Sequence, residues 1–449
     1  MVDNVSIGRR EDGCVVPLTG SQIIHWIDYV RDGRFSSIRV PQASMRLHGR
    51  LDVALVGSCL DVLTRRHESL RTRIVESSDG LTQQIDEAKE HPLVVKDISM
   101  LESVEREIAA TMISERFMGK EIDISAGPLF DAKLIRLSAS DHILLIAIDH
   151  IVSDAFSCRI IVEEFCALYR AKGLRSALPE LTLQFPDYAV WLERTGGRRD
   201  GSSCRTSMPY PSVAARMALR PKRIPSEAQQ LVRSRHEFTL GKLLTEELVA
   251  AARREKALLS IVILAMCSIA VLYWCRRDEL TIGMVTHGRQ HRSELMGMVG
   301  PLAGSTHIRA RVSKSDSLLD VLRYTYTKFC CSYASVGSGS IINTAEEPEV
   351  IFNWLPSSSE SFGREVDSAD HLRVMPFSVA RATIVGGGSS SSVLVRGCFD
   401  ADGAIVMTVM YRDDLWKLDD VIRLRRNIVL CATELVKRPS CAVSELELQ

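Results

Sequence analysis

Apolar residues recur at intervals of three and four along much of the chain, which is the periodicity of amphipathic helices. We predict helices of this kind at residues 19–31, 49–66, 101–117, 157–171, 243–255 and 415–436. Shorter apolar runs between them predict strands at residues 129–137, 142–148, 350–354, 393–399 and 404–411. The run at 142–148 is almost continuously apolar, so we expect this strand to be covered on both faces. Because both halves contain strands and helices, the pattern indicates an α/β fold.

One further segment, residues 258–275, contains no Asp, Glu, Lys or Arg and is flanked by pairs of arginines. Its eighteen residues approach the length of a membrane-spanning helix. However, the segment contains Ser260 and Ser268, and a strand-like run follows it directly. These features favour a helix buried on all sides of a folded protein, and we expect no membrane association.

The length of the chain indicates its domain organisation. With 449 residues it exceeds what one ordinary hydrophobic core serves, so we expect two lobes of roughly 200 residues each. The polar stretch 195–205 is rich in Gly, Ser and Arg, and we predict that it links an N-terminal lobe at 1–194 to a C-terminal lobe at 206–449. The glycines and serines at 386–392 predict a flexible connection within the second lobe.

Charge and cysteine content argue against several classes of protein. Fifty-six basic residues balance fifty-six acidic ones, and we interpret Arg65-Arg66 and Arg198-Arg199 as surface charges, so nucleic acid is not an expected partner. The twelve cysteines include no C-x-x-C pair and the N-terminus lacks an apolar signal, which together indicate a cytoplasmic protein. The chain contains neither a G-x-x-x-x-G-K-[ST] phosphate loop nor a G-x-S-x-G nucleophile elbow.

The candidate chemistry follows the strand at 142–148, where Asp149 and His150 precede Asp154 and a predicted helix. A histidine at the carboxyl end of a buried strand can be partly shielded from water and still reach a substrate as a base. Asp154 can orient the loop by pairing with a cation elsewhere in the chain. As an isolated pattern H-x-x-x-D is weak, because about half an occurrence is expected by chance in a chain of this composition.

A second histidine pair, His287 and His291, has a four-residue spacing that suits two metal ligands on one helix. The two histidines flank Gly288 and Arg289 in a predicted loop, and no third ligand is evident. We therefore expect no metal at these two histidines.

Residues 149–155, with the sequence DHIVSDA, resemble the HHxxxDG signature of the condensation domains of nonribosomal peptide synthesis, which belong to the chloramphenicol acetyltransferase-like superfamily. Other segments resemble the remaining motifs of that family in the same order: Pro17-Leu18-Thr19 with Ser21-Gln22 and Trp26, RHESLRT at 66–72, DYAVW at 187–191, Ile282-Gly283, Gly288-Arg289 with Glu294-Leu295 and Val299-Gly300, Phe352-Asn353, and the ending through Tyr411. RHESLRT is the most specific match, and the resemblance covers nearly the whole chain.

This resemblance implies a V-shaped pseudo-dimer of two chloramphenicol acetyltransferase-like lobes, with the signature loop at the bottom of a tunnel between them. Carrier proteins would dock at the two tunnel mouths and present substrates on phosphopantetheine arms, with no bound cofactor. His150 maps to the catalytic histidine, which accepts the proton of the attacking nucleophile or holds the acceptor by a hydrogen bond. Asp154 and Arg289 map to an ion pair that supports the loop.

The chain also departs from the family pattern. Asp149 replaces the first histidine of the signature, Ala155 replaces its glycine, and Ser305 ends a stretch that differs from the usual F-V-N-T. With Asn353 of the F-N motif, we predict that these residues line the tunnel. We expect His287 and His291 to face solvent or the same tunnel. The P-F-E motif expected after residue 330 is not recognisable.

We therefore expect an acyltransferase that joins a carrier-bound acyl or peptidyl thioester to an amine or alcohol, giving an amide or an ester, with chain release as one outcome. Because the resemblance fills the chain, we expect a stand-alone monomer acting in trans, on a free or carrier-bound acceptor. The alternative is a catalytically silent scaffold of the same fold that recruits a carrier protein or a tailoring enzyme, and Asp149 and Ala155 are its best support.

Overall fold

A computed structural model gives the architecture of most of the chain. The described residues are 6–31, 39–40, 43–78, 80–90, 93–120, 122–195, 233–289, 292–334, 348, 350–355, 365–367, 372–377, 393–400, 402–412 and 415–449. The predicted linker beyond Thr195, the predicted loop 386–392, the pair Arg198-Arg199 and His291 lie outside these residues.

The N-terminal half is organised around one long antiparallel strand. Its elements are β1 (Val16–Pro17), α1 (Gly20–Arg31), β2 (Arg39–Val40), β3 (Met45–His48), α2 (Val53–Arg66), β4 (Thr72–Ser77), β5 (Gly80–Ile85), β6 (Val94–Asp97), α3 (Ser103–Met118), β7 (Phe130–Ser138), β8 (Asp141–Asp149), α4 (Ala155–Arg170) and α5 (Phe185–Arg194). β8 pairs with β7 on one side and with β3 on the other, and its residues 142–149 are all buried. The prediction of a strand covered on both faces is confirmed.

The C-terminal half repeats this combination of a sheet and covering helices. Its elements are β9 (Arg233–Thr239), α6 (Lys242–Arg254), α7 (Leu259–Cys275), β10 (Glu279–Thr286), β11 (Gly304–Arg311), α8 (Leu318–Ala334), β12 (Val350–Trp354), β13 (Glu365–Asp367), β14 (Leu372–Pro376), β15 (Val393–Phe399), β16 (Ile405–Arg412) and α9 (Leu418–Lys437). A six-stranded sheet runs in the order β11-β10-β12-β15-β16-β9. Each predicted amphipathic helix corresponds to an observed one, and the α/β prediction is confirmed.

α7 is the core helix of the second half. Its residues 261–272 are buried without interruption, as predicted for the uncharged segment, and it packs against α8 and α9. Within the described ranges no single helix has the length and apolarity of a membrane span, whereas α6 and α7 together meet those criteria across a bend of 107°.

Two strands from the C-terminal half complete the sheet of the N-terminal half. β14 pairs antiparallel with β3, where Val374 lies opposite Leu47 and both side chains are fully buried. The first sheet therefore runs in the order β13-β14-β3-β8-β7-β6, with β2 also paired to β8. The division into lobes at residues 195–205 stays a prediction, and β14 crosses back over that boundary.

Candidate functional site

The loop between β8 and α4 carries the predicted signature and is held by its own polar groups. Asp154 is the N-cap of α4, and its Oδ1 accepts hydrogen bonds from the backbone N–H (2.7 Å) and the hydroxyl (2.8 Å) of Ser157. The first N–H groups of a helix otherwise lack partners, so this cap fixes where α4 begins. The loop is thus anchored by a buried strand at one end and by a capped helix at the other.

His150 directly follows β8 and is half-buried. Its Nδ1 lies 2.8 Å from the backbone oxygen of Ser153 in the same loop. Because a carbonyl oxygen can only accept a hydrogen bond, Nδ1 carries the proton and the neutral ring keeps its lone pair on Nε2. The loop therefore selects the tautomer in which Nε2 can act as a base.

Asp149 is buried against its own loop. The residue is only 2% exposed, and its Oδ1 accepts a hydrogen bond of 2.9 Å from the backbone N–H of Ile151. Its backbone oxygen accepts another of 2.9 Å from the hydroxyl of Ser153. A short carboxylate readily bonds to an N–H two residues ahead, which turns it back onto its own loop. Asp149 therefore shapes its own loop, and its role as tunnel lining stays a prediction.

Asp154 and Arg289 are in direct contact across the two halves of the chain. Nη1 of Arg289 donates to Oδ2 of Asp154 at 2.9 Å and Nη2 donates to Oδ1 at 3.2 Å. Oδ2 also accepts hydrogen bonds from the backbone N–H groups of Leu302 (3.1 Å) and Ala303 (2.9 Å). Asp154 thereby ties the start of α4 to the loop that precedes β11.

The environment of Asp154 favours its charged form. Burial alone would raise the pKa of this carboxyl, but the charge and hydrogen bonds of Arg289, together with those of Ser157, outweigh burial and hold the pKa below its usual range. Asp154 is therefore an ionised structural anchor. A proton carrier would need a pKa nearer to neutrality.

Gly288 gives Arg289 its position. Its φ is +70°, and an added Cβ would lie 1.8 Å from the backbone oxygen of Leu302. Glycine alone combines this left-handed conformation with the close approach of the two loops. The Gly288-Arg289 pair is thus required by backbone geometry as well as by charge.

His25, on α1, lies beside His150 and was not singled out by the sequence. The two imidazole rings are stacked, with centroids 4.5 Å apart and an interplanar angle of 27°. Burial lowers the pKa of His25 well below its usual range, and the neighbouring His150 adds to that shift. The sequence feature that could have pointed to His25 is its position as a polar residue next to Trp26, which is buried, in an amphipathic helix.

His287 lies at the same site, where it packs against an aromatic ring and accepts a hydrogen bond. Its ring stacks on Phe156 at 5.1 Å, and its Nδ1 accepts a hydrogen bond of 3.2 Å from the backbone N–H of Arg289. The guanidinium of Arg289 lies 4.6 Å from the centre of the Phe156 ring, in a cation–π contact. In the described part of the chain, His, Cys, Asp and Glu form no group of three or more that could hold a metal ion.

Arg66 is not the surface charge that we predicted. It is 6% exposed, and its Nε donates to Oε1 of Glu164 on α4 at 3.0 Å. Nε2 of His67 lies 2.7 Å from the other carboxylate oxygen of Glu164. The RHESLRT motif therefore joins α2 to α4, the helix that directly follows the signature loop.

A cavity of about 690 Å³ opens beside Arg66, between the N-terminal segment, the end of α2 and the start of α5. Its lining includes Arg10, Arg71 and Glu68 but no residue of the signature loop. Glu164, the partner of Arg66, is ten residues from Asp154 on α4, which corresponds to about 15 Å along the helix. This cavity is therefore separate from the surroundings of His150.

The remaining predicted tunnel residues are all half-buried. Ala155 opens α4, Ser305 lies in β11 and Asn353 lies in β12. Their roles as tunnel lining stay predictions.

Similar proteins are found among the large peptide synthetases. The chain is 26% identical to the chondramide synthase cmdD of Chondromyces crocatus, over 97% of the chain but only 11% of that relative's length. The X-domain from teicoplanin biosynthesis has a similar structure, with a TM-score of 0.74 at 19% identity, covering 99% of this chain and 100% of that one. The first condensation domain of the calcium-dependent antibiotic synthetase, solved with a substrate analogue, gives 0.74 at 17% identity, covering 98% and 100%.

These structural likenesses extend over both halves of the chain and confirm the fold predicted from the resemblance. Of the motifs quoted above, the signature loop that carries His150 is joined to Gly288-Arg289 by the contact between Asp154 and Arg289. The family model described as the condensation domain matches residues 32–449, and the chain therefore belongs to the condensation-domain family.

Proposed function

We propose that this protein transfers an acyl or peptidyl group from a carrier-protein thioester to an amine or alcohol, with His150 as the general base. The observation that carries the proposal is the contact between Nδ1 of His150 and the backbone oxygen of Ser153, which leaves Nε2 free to accept a proton. A base placed in this way contributes about 100-fold to 10,000-fold to a rate.

The proton and electron balance of this reaction needs only the acceptor and the thioester. The nitrogen or oxygen of the acceptor attacks the thioester carbonyl while its proton moves to Nε2 of His150. The tetrahedral intermediate then breaks its C–S bond, and the leaving thiolate takes the proton from the imidazolium. The products are an amide or ester and a free thiol, and His150 returns to its neutral state.

Asp154 and Arg289 position His150 in this proposal. Residues 150–154 connect His150 to α4, and Asp154 fixes the end of this segment by capping the helix. Arg289, from the other half of the chain, holds Asp154 in place. Small displacements of a catalytic group are costly, because proximity and orientation supply much of an enzymatic rate.

The partners follow from the family. Relatives of this chain are peptide synthetases, which supports a carrier protein with a phosphopantetheine arm as the donor. The acceptor is a second carrier-bound substrate or a free amine or alcohol. We place the reaction in the cytoplasm, which the cysteine spacing supports, and we expect a monomer that binds neither nucleic acid nor membrane.

The test is a direct assay of purified protein with an acylated carrier protein and a panel of amine and alcohol acceptors, with the products followed by mass spectrometry. We expect turnover by the wild-type protein, and a loss of about 100-fold or more in His150→Ala. Equal turnover in the two proteins would remove His150 from the mechanism.

A second candidate function is a scaffold of the same fold without catalysis. The observation that favours it is an apolar stripe on α3, where Val104, Ile108 and Met112 follow one another at intervals of four and are each more than half exposed. Exposed apolar patches mark protein interaction sites more often than chance. The X-domain of teicoplanin biosynthesis has been solved in a complex with OxyB, so one protein of this fold binds a partner protein.

The scaffold predicts binding without turnover. Isothermal titration of the protein with a purified carrier protein should give a measurable affinity that Ile108→Lys weakens, while no acceptor is acylated. Turnover that depends on His150 and is unchanged in Ile108→Lys would reject this second candidate.

A further inference from the structure

We infer that His25 is an acceptor-binding residue, which hydrogen-bonds the attacking amine or alcohol while His150 takes its proton. The inference rests on the proposed acyl transfer and adds a residue to its site. His25 lies between Gln22 and Trp26 in the first motif of the family resemblance, but it is not one of the residues that match that motif.

The position of His25 is fixed by the packing of α1. Trp26 and Tyr29, on the same helix, are buried in the hydrophobic core that also contains residues of β8. His25 is half-buried, and its ring covers one face of the His150 ring at a centroid distance of 4.5 Å. An acceptor bound to Nε2 of His150 lies about 2.6–3.2 Å from that atom, within reach of the adjacent ring.

Stacking alone does not account for a histidine at this place. Nδ1 of His25 is buried and has no hydrogen-bond partner among the residues that the structure describes. An unpaired buried nitrogen destabilises a fold, whereas an apolar ring would stack on His150 without that penalty. Stability given up at one position is typical of residues kept for function. In this proposal the acceptor binds the other ring nitrogen of His25, Nε2.

The charge state of His25 suits the same role. Burial and the neighbouring His150 both keep the pKa of His25 well below its usual range, so the ring is neutral near pH 7. It stays neutral when His150 takes up the acceptor's proton, because a second positive charge in the stack would be repelled. A neutral imidazole offers one donor and one acceptor nitrogen, which matches the hydrogen bonding of an amine or an alcohol.

The decisive variant is His25→Phe, which keeps a stacked ring and removes both nitrogens. We expect its melting temperature to equal or exceed that of the wild-type protein. We also expect the KM for the acceptor to rise about tenfold, the loss of one hydrogen bond, with little change in the KM for the donor thioester. His25→Gln, which restores a polar group, should regain part of the affinity for the acceptor.

His142 provides a matched control. It is another buried histidine whose Nδ1 has no hydrogen-bond partner in the described part of the chain. It lies eight residues before His150 at the other end of β8, which corresponds to about 26 Å. His142→Phe should change the melting temperature in the same direction as His25→Phe and leave both KM values as they are.

Two results would overturn the inference. One is an unchanged KM for the acceptor in His25→Phe, and the other is a clear fall in its melting temperature, which would mean that the nitrogens already serve the fold. Failure of the acyl transfer itself is distinguishable, because it would abolish turnover in the wild-type protein and end both proposals together.

Discussion

Arg289 and Asp154 form a two-pronged ion pair that is excluded from water, with Nη1 to Oδ2 at 2.9 Å and Nη2 to Oδ1 at 3.2 Å. Asp154 caps the start of α4 in the first half of the chain, and Arg289 follows β10 in the second. Burying two charges is unfavourable unless they are matched. Backbone N–H groups of Leu302 and Ala303 complete the hydrogen bonding of Asp154, whereas Nε of Arg289 is buried without a hydrogen-bond partner among the described residues. The loop that carries His150 therefore depends on both halves.

Arg289→Lys should impair this loop although it preserves the charge. A lysine ammonium cannot make two parallel hydrogen bonds to one carboxylate, and it lacks the planar group that stacks on Phe156. We expect a fall of about 1–3 kcal/mol in the free energy of unfolding, measured with urea, and at least a tenfold loss of acyl transfer.

Arg309→Lys is the control for that experiment, because Arg309 makes a comparable contact with Glu279 on the protein surface. Exposed ion pairs contribute about 0–1 kcal/mol, so this variant should resemble the wild-type protein. If both lysine variants behaved alike, the buried pair would have no special role in holding the loop.

Stability should depend on pH through Asp154. Its pKa is lowered in the folded protein, whereas the unfolded chain has the ordinary value of about 3.9, so the unfolded state binds a proton first as the pH falls. The stabilisation is complete above that unfolded value and is lost as the pH falls through it towards the folded one. Urea denaturation of the wild-type protein and Asp154→Asn should show a stability difference that shrinks as the pH falls below about 5. A constant difference would contradict this assignment.

Gly288→Ala should separate the loops that meet at Arg289. The new Cβ would collide with the backbone oxygen of Leu302, next to the N–H groups that bind Asp154. Gly403 is the matched control, since its φ is +81° but no atom lies within 4 Å of an added Cβ. Gly403→Ala should lower the free energy of unfolding by only about 1 kcal/mol, through backbone strain. Gly288→Ala should lower it clearly more and should also impair acyl transfer. Equal losses on urea denaturation would argue that the contact with Leu302 can relax.

Local patterns were enough to predict much of this architecture. The three-and-four periodicity located α1 and α4, and the continuous apolar run located β8. Such patterns are visible in the sequence because the buried face of a helix or strand consists of apolar residues. The cap of α4 was less visible. Asp154 was expected to pair with a cation, but the extension of the helix back to Ala155 follows from a hydrogen bond to Ser157.

The features that the sequence did not reveal depend on contacts between distant residues. β14 joins β3 across more than 300 positions, and nothing in its short apolar run specifies that partner. His25 and His150 are likewise far apart in sequence. The sequence pattern does not distinguish His25 from the other polar residues of α1, and its role became visible only from the stacking of the two rings. Arg66 was taken for a surface charge because its partner, Glu164, lies on another helix.

The contact between Arg66 and Glu164 gives a last prediction with a control one residue away. Glu164 accepts hydrogen bonds from Arg66 and lies against His67, and Glu164→Gln would leave the buried guanidinium without a countercharge. Breaking a buried pair in this way costs about 3–5 kcal/mol, so we expect a large fall in the urea midpoint. The adjacent Glu163 makes an exposed pair with Arg159, and Glu163→Gln should cost about 0–1 kcal/mol. Glu164 lies well along α4 from His150, so folded Glu164→Gln protein should keep its KM values. A selective rise in the KM for either substrate would contradict this, because it would place the contact close to the reaction.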